Sequence, residues 1–124
     1  MEAADWIVWQ LTGQLTRNHC MAVKALWKNE TGYPKGASLK LLHPLLEDFA
    51  EKKLFGRVLE TGTCAGGLSE KWSRLTELCA ETSVAVGNVD AYVAIPAVGI
   101  CETGVMLMTM GTATWDVLLS EKRC

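Results

Sequence analysis

The chain has 124 residues, a net charge of −2 and two histidines, and 49% of its residues are hydrophobic. This length fits one domain or parts of two, and the composition is that of a globular protein. Lysines and arginines are scattered, which argues against a nucleic-acid-binding surface and a basic membrane patch. No apolar run approaches the roughly 18 residues that a membrane span needs, so we expect no membrane partner.

The cysteines point to a reducing compartment. There are five of them, far apart and without a Cys-x-x-Cys pair. The count is odd and no secretory signal opens the sequence, which favours reduced thiols in a cytoplasmic protein over a disulfide framework. His19 and His43 lack metal-ligand spacing with any cysteine, and no zinc site is predicted.

The first helix is predicted over residues 2–12, where apolar residues share one face and Gly13 is a natural C-terminal stop. Residues 16–27 have ambiguous periodicity, and residues 31–36 predict a loop. The apolar pattern of residues 39–53 again favours a helix. Its proline is expected to divide it, because proline is tolerated at a first helical position and not in the interior.

The next stretch, residues 56–67, is glycine-rich and predicted to be irregular. Ser69 is a good N-cap for a helix over residues 70–78. Three tryptophans at helical spacing, Trp6, Trp9 and Trp27, are predicted to lie in the core.

The last third of the chain predicts strands. Residues 84–89 favour a short buried strand that ends on Asp90, and residues 105–119 favour two strands joined by a Gly-Thr turn. The order of helices, strand, tight connection and hairpin predicts an α/β fold. Three strands make a poor sheet for such a fold, so we expect a piece of a larger protein.

A carboxylate at a strand end and a nearby turn of small residues are two elements that phosphoryl transfer needs. Asp90 could accept a proton from an acceptor hydroxyl, and the turn at Gly111 and Thr112 could let backbone N–H groups approach a phosphate. Both features have simpler interpretations. Aspartate is a favoured N-cap for a segment that begins at Ala91, and Gly-Thr also suits an ordinary hairpin turn.

Six segments carry a family resemblance. The first is Asp-Trp-Ile-Val-Trp-Gln-Leu-Thr-Gly at residues 5–13. The others, in chain order, are residues 20–27, 32–34, 65–72, 84–91 and 110–114. Together they resemble the FGGY carbohydrate kinases and, within that family, the ribulokinase branch.

The resemblance implies two domains of the actin-like, ribonuclease H-like type, and transfer of the γ-phosphoryl group of MgATP to a sugar. The sugar of this branch would be L-ribulose, converted to L-ribulose 5-phosphate in arabinose catabolism in the cytoplasm. Residues 1–99 would be the C-terminal part of the sugar-binding domain, and residues 100–124 the opening β-hairpin of the ATP-binding domain. The family's N-terminal Asp-x-Gly-Thr hairpin and adenosine site have no counterpart here. We therefore expect a fragment that is inactive alone and self-associates, or that needs its missing parent segments.

The resemblance also assigns roles to residues. Asp90 would be the catalytic base and a sugar ligand, and Lys24 would donate hydrogen bonds to the sugar, although an ordinary solvated lysine is the alternative. Gly111, Thr112 and Thr114 would face the ATP phosphates. ATP and Mg²⁺ would be the cofactors of the intact parent, with no metal bound directly by this chain.

Three positions depart from the family pattern. Tyr92 stands where a histidine is usual, Ala113 replaces a usual serine, and Trp115 replaces a small residue. The first affects the sugar contacts and the other two affect the geometry of the phosphate loop. Two alternative functions stay open: a non-catalytic truncated or split-gene product, or an FGGY kinase for another ketose or polyol, such as xylulose or glycerol.

Overall fold

The computed structural model describes residues 1–121, and the chain divides into two compact units, Met1–Asn88 and Val89–Cys124. The described helices are α1 (Ala3–Thr12), α2 (His19–Val23), α3 (Gly36–Leu42), α4 (Phe49–Lys53), α5 (Glu70–Thr76) and α6 (Asp90–Ala97). The described strands are β1 (Thr16–Asn18), β2 (Arg57–Leu59), β3 (Cys64–Gly67), β4 (Ser83–Ala85), β5 (Met106–Met110) and β6 (Thr114–Leu118). A short 3-10 turn, Pro44–Leu46, lies between α3 and α4.

This mixture of helices with small sheets is compatible with the predicted α/β class. The strands form three two-stranded sheets: β1 with β2 in parallel, β3 with β4 antiparallel, and β5 with β6 antiparallel. The predicted domain boundary between residues 99 and 100 concerns the longer protein and stays a prediction.

Helix α1 forms where the sequence predicts it. It ends at Gly13, which adopts a left-handed φ of 72° and donates its N–H to the Trp9 carbonyl. Glycine takes this conformation without the steric cost that a Cβ atom would add. The buried side of α1 carries Val8, which forms a small core with Ala65 of β3 and Val86.

The prediction that the tryptophans lie in the core is wrong for α1. The side chains of Trp6 and Trp9 are 51% and 39% exposed. Helical spacing shows that residues share a face, but it does not show that another layer covers that face. A tryptophan that does anchor the unit is Trp72 of α5, whose indole Nε1 donates to the Gln10 carbonyl at 2.8 Å.

The remaining helices of this unit are shorter than predicted. The proline at position 44 divides the 39–53 segment as expected, because it opens the 3-10 turn. Ser69 precedes α5, but its side chain makes no capping hydrogen bond. The glycine-rich stretch 56–67 is not irregular, since it contains β2 and β3. These strands pair with partners far away in sequence, which local pattern does not reveal.

The second unit begins with α6, which is followed by the β5–β6 hairpin. The hairpin register runs from Met106 opposite Leu118 to Met110 opposite Thr114, so a three-residue turn joins the strands. The hairpin therefore forms where alternation predicts it, within a residue at each end. The helix contains Pro96 in its last turn, and Gly99 follows with a left-handed φ of 76°.

Candidate functional site

A cavity of about 440 Å³ within the second unit is the candidate site. Asp90, Ala91 and Ala94 of α6 line one part of it. The hairpin supplies the rest, through the residues Thr109, Gly111, Thr112, Ala113 and Trp115. The cavity therefore brings the predicted carboxylate and the predicted Gly-Thr turn together. Thr114, the first residue of β6, is not among the lining residues.

The prediction of a buried strand over residues 84–89 that ends on Asp90 is wrong, because β4 covers only Ser83–Ala85 and is mostly exposed. Asp90 instead opens α6 and is exposed to solvent. Its Oδ1 accepts a hydrogen bond from the Ala91 N–H at 2.8 Å. A carboxylate is stabilised at this end of a helix, because the free N–H groups and the helix dipole leave partial positive charge there. The N-cap of α6 is Val89, which makes no side-chain capping hydrogen bond, so the interpretation of Asp90 as an N-cap is wrong. Asp90 is the first helical residue, and its carboxylate accepts from the next N–H and also lines the cavity.

The hairpin turn supplies exposed backbone beside that carboxylate. The N–H of Gly111 donates to the Ala113 carbonyl at 3.3 Å within the turn. This bond is slightly longer than the usual range. A phosphate that approached the turn would compete with the Ala113 carbonyl for this donor. The Trp115 side chain is about half exposed and forms part of the cavity wall.

Lys24 lies in the first unit, directly after α2, and it is exposed. Its Nζ is 3.2 Å from Oε1 of Glu2, and the two side chains are 51% and 47% exposed. Ion pairs at this level of exposure contribute little to stability, about 0–1 kcal/mol. Lys24, which is predicted to donate hydrogen bonds to the sugar, is therefore paired with a surface carboxylate that a polar ligand could displace.

A buried polar cluster in the first unit escaped the sequence prediction. Strand β1 consists of Thr16, Arg17 and Asn18, and all three are buried. A run of polar residues ordinarily indicates a loop, so the pattern gave no signal of burial. Arg17 donates to the carbonyls of Phe55 and Lys53, at 3.0 and 3.2 Å, and so satisfies the backbone at the end of α4 and just after it.

Asn18 is the centre of this cluster and is 0% exposed. Its Oδ1 accepts from the Cys20 N–H at 2.7 Å, which caps α2. Its Nδ2 donates to Thr61 Oγ1 at 2.8 Å and to the Gly87 carbonyl at 2.6 Å. The Asn18 N–H in turn donates to Asp5 Oδ1 at 2.8 Å. One side chain and its backbone thus join α1, α2, the segment after β2 and the segment after β4.

Asp5 is 3% exposed, and only its Oδ1 has a hydrogen-bond partner among the residues described. Burial raises the pKa of this carboxyl above its ordinary value, against the opposing effects of the Asn18 N–H and the Arg17 charge. Burial also raises the pKa of the Tyr33 phenol. The sequence signal for Asp5 was its place at the start of the Asp-Trp motif, which assigned it no role.

Two kinds of feature are absent from residues 1–121. No group of three or more His, Cys, Asp or Glu side chains is placed there to hold a metal ion. None of the described helices combines the length and apolarity of a membrane span. The thiols of Cys20, Cys64, Cys79 and Cys101 are free, and Cys124 lies outside the described residues.

Comparison with known proteins finds relatives that match nearly the whole chain. A ribulokinase from Bacillus licheniformis is 51% identical over 122 residues, which are 98% of this chain and 22% of that protein. This chain is similar to ribulokinases over nearly its whole length. The ribulokinase of Halalkalibacterium halodurans is 44% identical over 123 residues, which are 98% of this chain and 22% of that protein. That of Mycolicibacterium smegmatis is 37% identical over 118 residues, covering 95% of the chain and 21% of the relative.

The predicted resemblance to the ribulokinase branch is therefore confirmed. The chain spans about a fifth of the length of the curated ribulokinases that it matches, at 22% for the first of them. No family model matches the chain. The individual roles assigned to Lys24, Asp90, Gly111, Thr112 and Thr114 stay predictions.

Proposed function

We propose that this chain is the part of a ribulokinase that carries the catalytic carboxylate, one sugar contact and the phosphate-facing hairpin. The intact enzyme would phosphorylate L-ribulose with ATP in the cytoplasm, giving L-ribulose 5-phosphate and ADP. Its fold would be the actin-like, ribonuclease H-like arrangement of two domains. The observation that carries the proposal is the 440 Å³ cavity, where Asp90 and the Gly111–Thr112 turn meet in a chain related to ribulokinases throughout.

The proposed step uses Asp90 as a general base. As the 5-hydroxyl oxygen bonds to the γ-phosphorus, the bond from that phosphorus to the bridging oxygen of ADP breaks. Asp90 takes the hydroxyl proton. A positioned base of this kind contributes about 10²–10⁴-fold to a rate, and the remainder comes from positioning and charge stabilisation.

The hairpin would bind phosphate through its backbone and the Thr112 and Thr114 hydroxyls. The described residues hold no carboxylate cluster for a metal. In this proposal Mg²⁺ therefore arrives with the ATP phosphates, and no step is assigned to a metal bound by this chain. Lys24 would release its surface ion-pair partner, Glu2, and would donate hydrogen bonds to sugar hydroxyls instead.

A chimera tests the proposal directly. The 122 matched residues of the Bacillus licheniformis ribulokinase would be replaced by this chain, since 51% identity favours a compatible fit. The chimera should phosphorylate L-ribulose. Asp90→Asn should lower kcat by about 10²–10⁴-fold, whereas Asp116→Asn, which changes a β6 carboxylate outside the cavity lining, should leave it unchanged.

The result also separates the alternatives. A folded chimera that turns over xylulose or glycerol in preference to L-ribulose would assign a different sugar. A folded chimera without activity on any of these sugars would favour a non-catalytic product. Ala113→Ser and Trp115→Cys would then test whether these two departures from the family pattern abolish activity. Restored turnover in either variant would support the kinase assignment. The isolated chain should show no turnover, since it spans only 22% of its relative.

A further inference from the structure

The hairpin face that lines the Asp90 cavity carries a threonine to which the sequence assigned no role. Thr109 of β5 lies opposite Trp115 of β6 in the hairpin register, and both residues line the cavity of about 440 Å³. Successive side chains of a strand point to opposite faces, so Met108 and Met110 belong to the other face, and neither lines the cavity. The one polar side chain of β5 therefore lies on the same face as the cavity.

The lining of this cavity has few side chains that can donate a hydrogen bond. Among the described residues that line it, none is a lysine, an arginine or a histidine, and Asp90 carries a negative charge. The side-chain donors are the hydroxyls of Thr109 and Thr112 and the indole N–H of Trp115. An anionic ligand in this cavity would therefore depend on these groups and on the backbone N–H groups of the turn.

The Thr109 hydroxyl is available to a ligand. Other threonines use their hydroxyls internally: Thr12 donates to the Val8 carbonyl at 2.8 Å, and Thr76 donates to the Trp72 carbonyl at 2.7 Å. Thr109 is exposed, and its hydroxyl makes no such bond to the residues that the structure describes. A ligand can therefore accept from this hydroxyl without breaking a hydrogen bond of the fold.

We propose that Thr109 is a further phosphate-binding residue, whose hydroxyl donates to an oxygen of the phosphoryl group that is transferred. The assignment rests on the proposed function, which brings the ATP phosphates to the hairpin and the acceptor hydroxyl to Asp90. Ionised phosphate oxygens accept hydrogen bonds, and bonds to such charged acceptors are short and strong. The Asp90 carboxylate repels these oxygens, so they lie on the hairpin side of the cavity, which Thr109 lines.

Binding can be measured on the chimera with the Bacillus licheniformis ribulokinase by titration calorimetry. The probe is the magnesium complex of β,γ-imido-ATP, an analogue that is not hydrolysed. Thr109→Val keeps the branched side-chain shape and removes the hydroxyl, so it should raise the Kd by about 10-fold, the usual effect of losing a hydrogen bond to a charged group. Thr103→Val makes the same change at an exposed position outside the cavity lining and should leave the Kd unchanged. An unchanged Kd in Thr109→Val would overturn the proposal.

Thr109→Ser separates the hydroxyl from the stability of the hairpin. Serine keeps the hydroxyl but lacks the branched Cβ that favours strands. This variant should therefore bind the analogue as tightly as the parent chimera does, although its Tm is lower. Thr109→Val should show the opposite result, with weak binding and no decrease in Tm. A Kd that rises equally in both variants would show that packing and not the hydroxyl is responsible, which refutes the proposal.

Steady-state kinetics identify the group that Thr109 contacts. Thr109→Val should raise the KM for ATP and leave the KM for L-ribulose unchanged. A rise in the KM for L-ribulose alone would assign the hydroxyl to the sugar and overturn the proposal. Loss of affinity for the analogue in Thr114→Val but not in Thr109→Val would also overturn it, because the hydroxyl would then come from β6.

The two proposals can fail separately. A chimera that binds the analogue through Thr109 but does not phosphorylate L-ribulose would refute the proposed function and support the phosphate contact. A chimera that phosphorylates L-ribulose equally well with valine at position 109 would support the proposed function and refute the phosphate contact. A folded chimera that neither binds the analogue nor turns over L-ribulose would overturn both.

Discussion

Replacement of Asn18 should destabilise the first unit more than any ordinary polar substitution. Asn18→Ala removes three side-chain hydrogen bonds, to the Cys20 N–H, Thr61 Oγ1 and the Gly87 carbonyl. Each is worth about 1 kcal/mol net, so the free energy of unfolding should fall by about 3 kcal/mol. For a unit of this size, that corresponds to a decrease in Tm of roughly 12–24 °C.

Asn18→Asp tests the direction of the hydrogen bonds. Aspartate can still accept from the Cys20 N–H, but its second oxygen would face the Gly87 carbonyl oxygen, where the Asn18 nitrogen now lies 2.6 Å away. Two acceptors repel each other, and the ionised side chain would also be buried. The variant should therefore be at least as unstable as Asn18→Ala at pH 7. Both effects raise the folded pKa of this acid, so the variant should recover stability as the pH falls towards about 4, because the protonated acid can donate to that carbonyl.

Urea unfolding followed by tryptophan fluorescence measures both variants, because the half-buried Trp72 reports on this unit. Asn29→Ala, at an exposed turn position, is the matched control and should change stability by less than about 0.5 kcal/mol. A loss of under about 1 kcal/mol for Asn18→Ala would show that this network does not hold the unit together. An Asn18→Asp variant with no pH dependence would show that the assigned donors are wrong.

Three further predictions concern other parts of the chain. Burial raises the pKa of the Asp5 carboxyl above 3.8 in the folded chain. The stability that comes from the protonated carboxyl is therefore present below the pKa of the unfolded chain, and it is lost as the pH rises through the pKa of the folded chain. Asp5→Asn should therefore gain stability relative to wild type between about pH 4 and 7 in urea titrations; a constant difference would contradict this. Gly67→Ala should cost about 1–3 kcal/mol in the same assay, since its Cβ would lie 2.7 Å from the Glu81 Cα, and an unchanged midpoint would refute the clash. The exposed β5–β6 hairpin should promote self-association, and Met108→Lys should reduce it in sedimentation velocity; a wild-type chain that stays monomeric with rising concentration would disprove it.

Local features were predictable from the sequence where they depend on nearby residues. Helix α1 with its terminal Gly13 and the β5–β6 hairpin follow from periodicity and turn chemistry, and both form as predicted. The cavity that joins Asp90 to the hairpin also depends on a single short stretch of chain. The sequence could therefore indicate that Asp90 and the Gly111–Thr112 turn lie near each other, while their roles in phosphoryl transfer stay predictions.

The buried polar network could not be predicted in the same way. β1 pairs in parallel with β2 across about forty residues of sequence, and no local pattern indicates this pairing. Polar residues such as Thr16 and Asn18 are stable in the interior only because their partners satisfy them. Those partners are backbone groups and single side chains from distant segments, which a propensity or a hydrophobic period does not specify.

Asp90 is the first residue of α6 and not its N-cap, but a backbone hydrogen bond still holds its carboxylate. A general base must present its carboxylate in a fixed orientation, and an exposed side chain without partners samples several rotamers. The 2.8 Å bond from the Ala91 N–H to Oδ1 restricts those rotamers while the residue still lines the cavity. Asparagine at this position can keep the acceptor for the helix but cannot take a proton at neutral pH. Loss of turnover in Asp90→Asn without loss of stability would therefore mean that the carboxylate is needed to take the proton and not to stabilise the helix.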